Sequence, residues 1–153
     1  MLNNLIFVIM CTFLVGIVSC SKDKKATVER IEPQCLASQS ACQITTSFGK
    51  LSVLFDQKAI IPEQEFTLFV GNKSLEQGFN ITGFIEGKSM YMGKIPLFFS
   101  SEKVNGFKTA QTMLGSCTDK KMIWSLQLTL VPTSETANNQ PESFSIEFTS
   151  IRD

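Results

Sequence analysis

The sequence predicts an all-β protein, an antiparallel β-sandwich of seven or eight short strands. Large apolar residues recur at every second position in runs of five to nine residues, the period of a strand with one buried face. Glycine, asparagine, aspartate and proline bound these runs, as expected for tight turns. No segment has the 3.6-residue period of an amphipathic helix. This spacing favours an immunoglobulin-like architecture, with a small barrel as the alternative.

The alternating runs follow one another between residues 50 and 148. We expect strands at 51–55, 66–70, 79–85, 95–99, 124–130 and 144–148, preceded by a short strand near 26–31. In the run that begins at Trp124, leucines alternate with Ser125, Gln127 and Thr129, which predicts an inward face of Trp and Leu. The stretch "SETANNQPES", residues 134–143, predicts a polar hairpin loop before the last strand.

A continuous apolar run, "LIFVIMCTFLVGIV", occupies residues 5–18 ahead of all predicted strands. A membrane-spanning helix needs about 20 such residues and the apolar part of a signal peptide about 7–15, so the length favours a signal peptide. The run closes with Ile17, Val18, Ser19 and Cys20, which resembles the lipobox of bacterial lipoproteins. That resemblance implies that Cys20 is the first mature residue and carries a diacylglycerol thioether and an N-linked acyl chain such as palmitate. The alternatives are an ordinary signal peptide or an uncleaved anchor.

The lipobox resemblance divides the chain into a signal peptide at 1–19, a lipidated tether at 20–33 and a single β-sandwich domain at 34–153. Three acyl chains far exceed the affinity of one chain, which alone is a marginal anchor. The resemblance therefore implies a protein that stays on the lipid bilayer without a transmembrane helix. Ser21 occupies the position where Asp commonly signals retention in the inner membrane, so we expect the outer membrane, facing the periplasm.

Composition limits the activities that the mature chain can have. All fourteen basic and all fourteen acidic residues follow Cys20, so the mature chain is formally neutral and lacks the basic excess typical of nucleic-acid binding. Histidine is absent, which excludes His general bases, Ser-His-Asp triads and His-ligated zinc. We therefore expect no enzyme and no nucleic-acid partner, but a binding or assembly module that contacts an unidentified envelope protein.

Three cysteines remain once Cys11, in the apolar run, and Cys20 are set aside. An exported domain can form disulfides, and an odd number leaves at least one thiol unpaired within the monomer. Cys35 and Cys42 enclose six residues, "LASQSA", just before the alternating run at 51–55. We expect a disulfide between them and a free Cys117, with Cys42–Cys117 as the alternative pairing.

Four sulfur-containing residues form the one pattern with metal-binding chemistry. Met90 and Met92 are two residues apart and would share a face of a strand. Cys117 and Met122 flank "TDKK", which predicts a hairpin with the two side chains opposite each other, about 5 Å apart at Cβ. Thioethers and a thiolate are ligands that Cu(I) prefers, so these four residues are a candidate Cu(I) site. The alternative is that the methionines only fill the core.

The pattern "M-x-M-G … C-x4-M-x-W", within residues 88–130, resembles small proteobacterial envelope proteins. Some of those are loosely similar to the FixH-like and YtkA-like immunoglobulin-fold families, which act near copper or oxidase biogenesis. The resemblance implies a sandwich fold and a connection to copper. A Cu(I)-binding accessory protein is therefore the alternative to a purely structural binding module.

Overall fold

The computed structural model describes residues 32–72, 78–133 and 140–152. All regular secondary structure in these ranges is β-structure. The strands are β1 (Gln43–Thr46), β2 (Gly49–Phe55), β3 (Glu65–Gly71), β4 (Phe79–Gly87), β5 (Lys94–Leu97), β6 (Lys103–Val104), β7 (Phe107–Met113), β8 (Lys121–Pro132) and β9 (Glu142–Ile151). The predicted signal peptide, Cys20, the predicted strand at 26–31 and most of the predicted polar loop lie outside the described residues.

The strands form two antiparallel sheets, with orders β1-β2-β3-β7-β6 and β5-β4-β8-β9. The order β2-β3-β7-β6 beside β5-β4-β8-β9 is the A-B-E-D and C′-C-F-G arrangement of immunoglobulin domains, with β1 added at one edge. The predicted all-β sandwich is therefore confirmed, and the barrel alternative is wrong. Eight strands longer than two residues occur in the described ranges, within the predicted number, and β6 adds a two-residue ninth.

The core lies between the sheets, and β8 supplies one side of it. Met122, Trp124, Leu126, Leu128 and Leu130 are all buried, as the two-residue period requires. The indole N–H of the fully buried Trp124 donates a 2.8 Å hydrogen bond to the hydroxyl of Ser150 on β9. Because that hydroxyl is also buried, the bond satisfies two polar groups that would otherwise lose solvation.

The connections between strands lie at the two opposite ends of the sandwich. The basal end, as we define it, comprises the connections 56–64, 88–93 and 114–120 together with Arg152, which follows β9. The two sheets meet there, since the backbone N–H of Ile151, at the end of β9, donates to the carbonyl of Ile60, in the connection between β2 and β3. The apical end is the opposite one, at the start of β2, β4 and β7 and the end of β3 and β8.

Residues 34–42 cover one open side of the sandwich. Gln34 exchanges two backbone hydrogen bonds of 2.8 Å with Phe55, at the basal end of β2. Ser38 and Ser40 then bond to backbone groups of β9, the outer strand of the other sheet. This contact shields a strand edge that could otherwise pair with another chain.

The segment that covers β9 is closed by a disulfide. Cys35 and Cys42 lie at disulfide distance, with their Cα atoms 5.5 Å apart, and this pairing confirms the prediction. Cys117 is the free cysteine among the described residues.

Three sequence-based expectations need correction. Met90 and Met92 were expected to share a face of a strand, but both lie in the connection between β4 and β5. No strand was expected at 107–113, where β7 lies, because its buried mid-strand residue is Ala110, which is too small to mark the period. The predicted hairpin around "TDKK" is wrong. β7 and β8 belong to different sheets, so the chain crosses the base of the sandwich between them, and Met122 pairs with Ser150 instead of Cys117.

Replacing Cys35 and Cys42 together by Ser should lower the free energy of unfolding by about 2–3 kcal/mol, because the short loop is no longer closed in the unfolded chain. Urea denaturation measures the change. Cys117→Ser is the matched control and should cost much less. A double variant as stable as the parent would contradict a structural role for this bridge.

Candidate functional site

The loop between β4 and β5 is tied to the first residues of β8. The backbone N–H of Lys88 donates to the carbonyl of Ile123, and the N–H of Ile123 donates to the hydroxyl of Ser89. Gly87 precedes the loop, and a Cβ there would collide with the carbonyl oxygen of Met90. Gly93 ends the loop with a φ of 75°, a conformation that favours glycine. The part of the loop just before Met90 is thus tied to β8.

The loop between β7 and β8 is held from two directions. Leu114 is buried in the core, and its carbonyl accepts the hydrogen bond from Glu63. Arg152 donates from its guanidinium to the carbonyls of Cys117 and Thr118, at 2.7 and 3.0 Å. Its backbone N–H also donates to the carbonyl of Lys120 at 2.8 Å. Arg152 therefore fixes the backbone that carries the cysteine.

These two loops bring a thiol and a thioether into contact. The Sγ atom of Cys117 lies 3.0 Å from the Sδ atom of Met90. Met90 is 39% exposed and Cys117 is half-buried, so the pair is open to solvent. The two residues are 27 positions apart and come from connections of different strand pairs. The candidate Cu(I) site required Met90 to lie near Cys117, and the two are in contact although the predicted hairpin between Cys117 and Met122 is absent.

Met92 and Met122 contact the segments on either side of this pair. The Met92 methyl group lies 3.5 Å from the position that a Cβ would take at Gly115, two residues before Cys117. The Met122 methyl group packs against Gly87, three residues before Met90, and Met122 is only 3% exposed. Met92 is partly buried against the core, whereas Met122 belongs to it. We call Met90, Met92, Cys117 and Met122 the sulfur cluster.

The sulfur pair fits a soft, thiophilic metal ion after a small movement. Two sulfur ligands on one ion, each bonded at about 2.3 Å, are about 4.0 Å apart in trigonal geometry and about 4.6 Å apart in linear geometry. Metal entry would therefore separate the sulfur atoms by about 1.0–1.6 Å. Met90 can provide this movement, because it is unbranched, exposed and has three rotatable bonds.

Hard or borderline metal ions have less to bind here. No group of three or more His, Cys, Asp or Glu that could hold a metal ion occurs within 32–72, 78–133 and 140–152. Outside the core, the sulfur cluster offers the thiol of Cys117 and the thioethers of Met90 and Met92, a set that matches Cu(I) better than Zn(II) or Mg²⁺.

Two residues that position the cluster were not predicted from the sequence. Gly87 could have been suspected, since a glycine at a strand end often permits a close approach of backbone or side chain. No sequence pattern around Arg152 indicates its role. Its role depends on β9 ending next to the crossing loop, and only the three-dimensional pairing of β8 with β9 places it there.

Met122→Ala should lower the free energy of unfolding by about 2–5 kcal/mol, the usual cost of truncating a buried Met. Met90→Ala, at the exposed position, should cost less than about 0.5 kcal/mol. Denaturation followed by the fluorescence of Trp124, the single tryptophan, measures both. If Met90→Ala and Met122→Ala lowered the free energy of unfolding equally, Met90 would be held by core packing and would not be free to bind a ligand.

The part of the chain that the structure describes has no helix long and apolar enough to cross a membrane. A scan against models of protein families gives no match to this chain, and a search of curated proteins gives none either. The function therefore has to be argued from the residues of the basal end and from the sequence ahead of them.

Proposed function

We propose that this protein is a lipoprotein of the bacterial envelope, anchored through acylated Cys20, that acts as a non-enzymatic binding or assembly module. The sequence before residue 20 supports the anchor, because a 14-residue apolar run ends at the cysteine of a lipobox-like tetrapeptide. The absence of histidine supports binding over catalysis, and the formal neutrality of the chain argues against a nucleic-acid partner. The proposed location is the outer membrane, with the domain in the periplasm.

The observation that carries the binding role is the contact between two loops at the basal end. Loops 88–93 and 114–120 hold Met90 and Cys117 at 3.0 Å on a rigid sandwich. Ligand-binding residues are often placed on loops that a rigid scaffold positions, as in immunoglobulin domains. Their backbones are fixed by Ile123, Glu63 and Arg152, so the exposed sulfur atoms are preorganised for a ligand.

Cys20→Ala should abolish lipid attachment, because the thiol is the nucleophile that accepts the diacylglycerol. Metabolic labelling of cells with a fatty-acid analogue, followed by isolation of the protein, measures the attachment. Cys11→Ala is the matched control and should label like the parent, since Cys11 lies inside the apolar run. Equal labelling of the Cys20→Ala variant would contradict the lipoprotein proposal.

A Cu(I)-binding accessory role is the second candidate, favoured by the thiol–thioether contact. The thiol of Cys117 supplies an anionic ligand when deprotonated, and Met90 supplies a soft neutral one. Met92 is close enough to the same loop to serve as a third ligand after a side-chain rotation. Met122 is buried and packs beneath the loop, so its contribution is support for Met90.

The mature protein should bind one Cu(I) per chain in an anaerobic titration against a chromogenic Cu(I) chelator, and it should not bind Zn(II) with comparable affinity. Cys117→Ser should abolish tight binding, because it removes the anionic ligand. Met90→Leu should weaken binding by about tenfold or more, a loss of at least about 1.4 kcal/mol, while keeping the apolar volume.

Met113→Leu is the matched control for the Cu(I) titration. Met113 is exposed at the end of β7, outside the sulfur cluster, and its replacement should leave the affinity unchanged. If the parent protein takes up no stoichiometric Cu(I), or if Met113→Leu weakens binding as much as Met90→Leu, the copper proposal is wrong. The lipoprotein proposal would be unaffected by either result.

A further inference from the structure

The described chain enters the sandwich at the same end that carries the sulfur cluster. Gln34 pairs with Phe55, the last residue of β2, and the connection 56–64 follows directly. From Gln34 the chain runs antiparallel to β2 towards the apical end, as shown by the bond from the N–H of Val53 to the carbonyl of Cys42. The attachment point of everything before residue 34 is therefore basal.

Chain length limits where the domain can lie relative to an anchor at Cys20. Fourteen residues separate Cys20 from Gln34, and even fully extended they span at most about 50 Å. The longest strand, β8, has 12 residues and is about 40 Å long, which approximates the length of the sandwich. If the apical end touched the bilayer, the segment between Cys20 and Gln34 would have to use most of its reach of about 50 Å to run back along the domain. The basal end reaches the bilayer without this detour.

The basal end also exposes apolar side chains suited to an interface. Tyr91, beside Met90 in the loop between β4 and β5, is 84% exposed. Tyrosine is enriched at membrane–water interfaces, because its ring is apolar and its hydroxyl stays hydrated. Met90, Met113, Ile123 and Ile151 are further exposed large apolar side chains near this end, so it holds five of the eight in the described residues; the other three, Phe98, Val104 and Val131, lie elsewhere.

We propose that, in the anchored protein, the basal end faces the bilayer and Tyr91 lies in the headgroup region, so that the sulfur cluster opens towards the membrane surface. The proposal rests on lipid anchoring at Cys20. Acidic and basic side chains both occur at this end, as at Asp119 and Lys120. The contact should therefore depend on apolar burial more than on anionic lipid, and it should persist at high salt.

The orientation can be measured with the full lipidated protein in phospholipid vesicles. The variants are made in a protein that already carries Cys117→Ser. Cys35 and Cys42 are then joined by the disulfide and Cys20 is acylated, so no free thiol remains after residue 19. A single introduced cysteine can therefore be labelled with an environment-sensitive fluorophore. Tyr91→Cys places it at the basal end. Val104→Cys, 52% exposed and on β6 next to the apical turn, is the control.

A spin-labelled phospholipid, with the nitroxide at headgroup depth, should quench the fluorophore at residue 91 at least about twice as strongly as the one at residue 104. Equal quenching, or stronger quenching at residue 104, would overturn the proposed orientation. Equal quenching is also the result expected if a protein partner, and not the bilayer, covers the basal end. A second pair, Ile151→Cys against Val131→Cys, repeats the comparison on neighbouring strands of one sheet and should give the same order.

Flotation of the same vesicles separates the two proposals. Protein that floats with the vesicles but shows equal quenching at both positions overturns the orientation alone. Protein that fails to float shows that the anchor itself is wrong, and the orientation that rests on it is then overturned as well.

Discussion

Burial of the inward face of β8 is the constraint on which the rest of the structure depends. Strand β8 lies between β4 and β9, and its apolar residues fill the space between the two sheets. A shift of one residue would turn Trp124 outward and bring Ser125 into the core, so the register is strongly specified. The bond from Trp124 to Ser150 fixes β9 against β8 in the same register. Met122, at the basal end of this face, is held in place by the same requirement.

The position of the sulfur cluster follows from that register. Met122 packs under Gly87, and the Ile123 backbone receives the loop that carries Met90. The end of β9 brings Arg152 to the loop that carries Cys117. The apolar core therefore determines the distance between two exposed sulfur atoms that are themselves outside it. This division of roles explains how a small sandwich can present a thiol beside a thioether at one end without building the pair into its hydrophobic interior.

Sequence reasoning predicted what local periodicity encodes and missed what depends on long-range pairing. The inward face of β8 was predictable because Trp124 and the leucines are large and alternate with polar residues. Strand β7 was not, since Ala110 is too small to mark a face. The copper hypothesis required Met90 to lie near Cys117, but no sequence pattern placed them together, because their contact arises where the loop after β7 crosses between the sheets. Arg152 could not be predicted, because only the pairing of β8 with β9 places it.

The central claim is that Met90 and Cys117 form one ligand-binding pair, and methionine methyl NMR tests it most directly. Residues 20–153 contain four methionines, at positions 90, 92, 113 and 122. With ¹³C-methyl labelling and one equivalent of Ag(I), a redox-stable substitute for Cu(I), we expect large shifts for Met90 and Met92, a small shift for Met122 and none for Met113. These shifts should disappear in Cys117→Ser. Unchanged Met90 resonances in the presence of Ag(I) would contradict the claim.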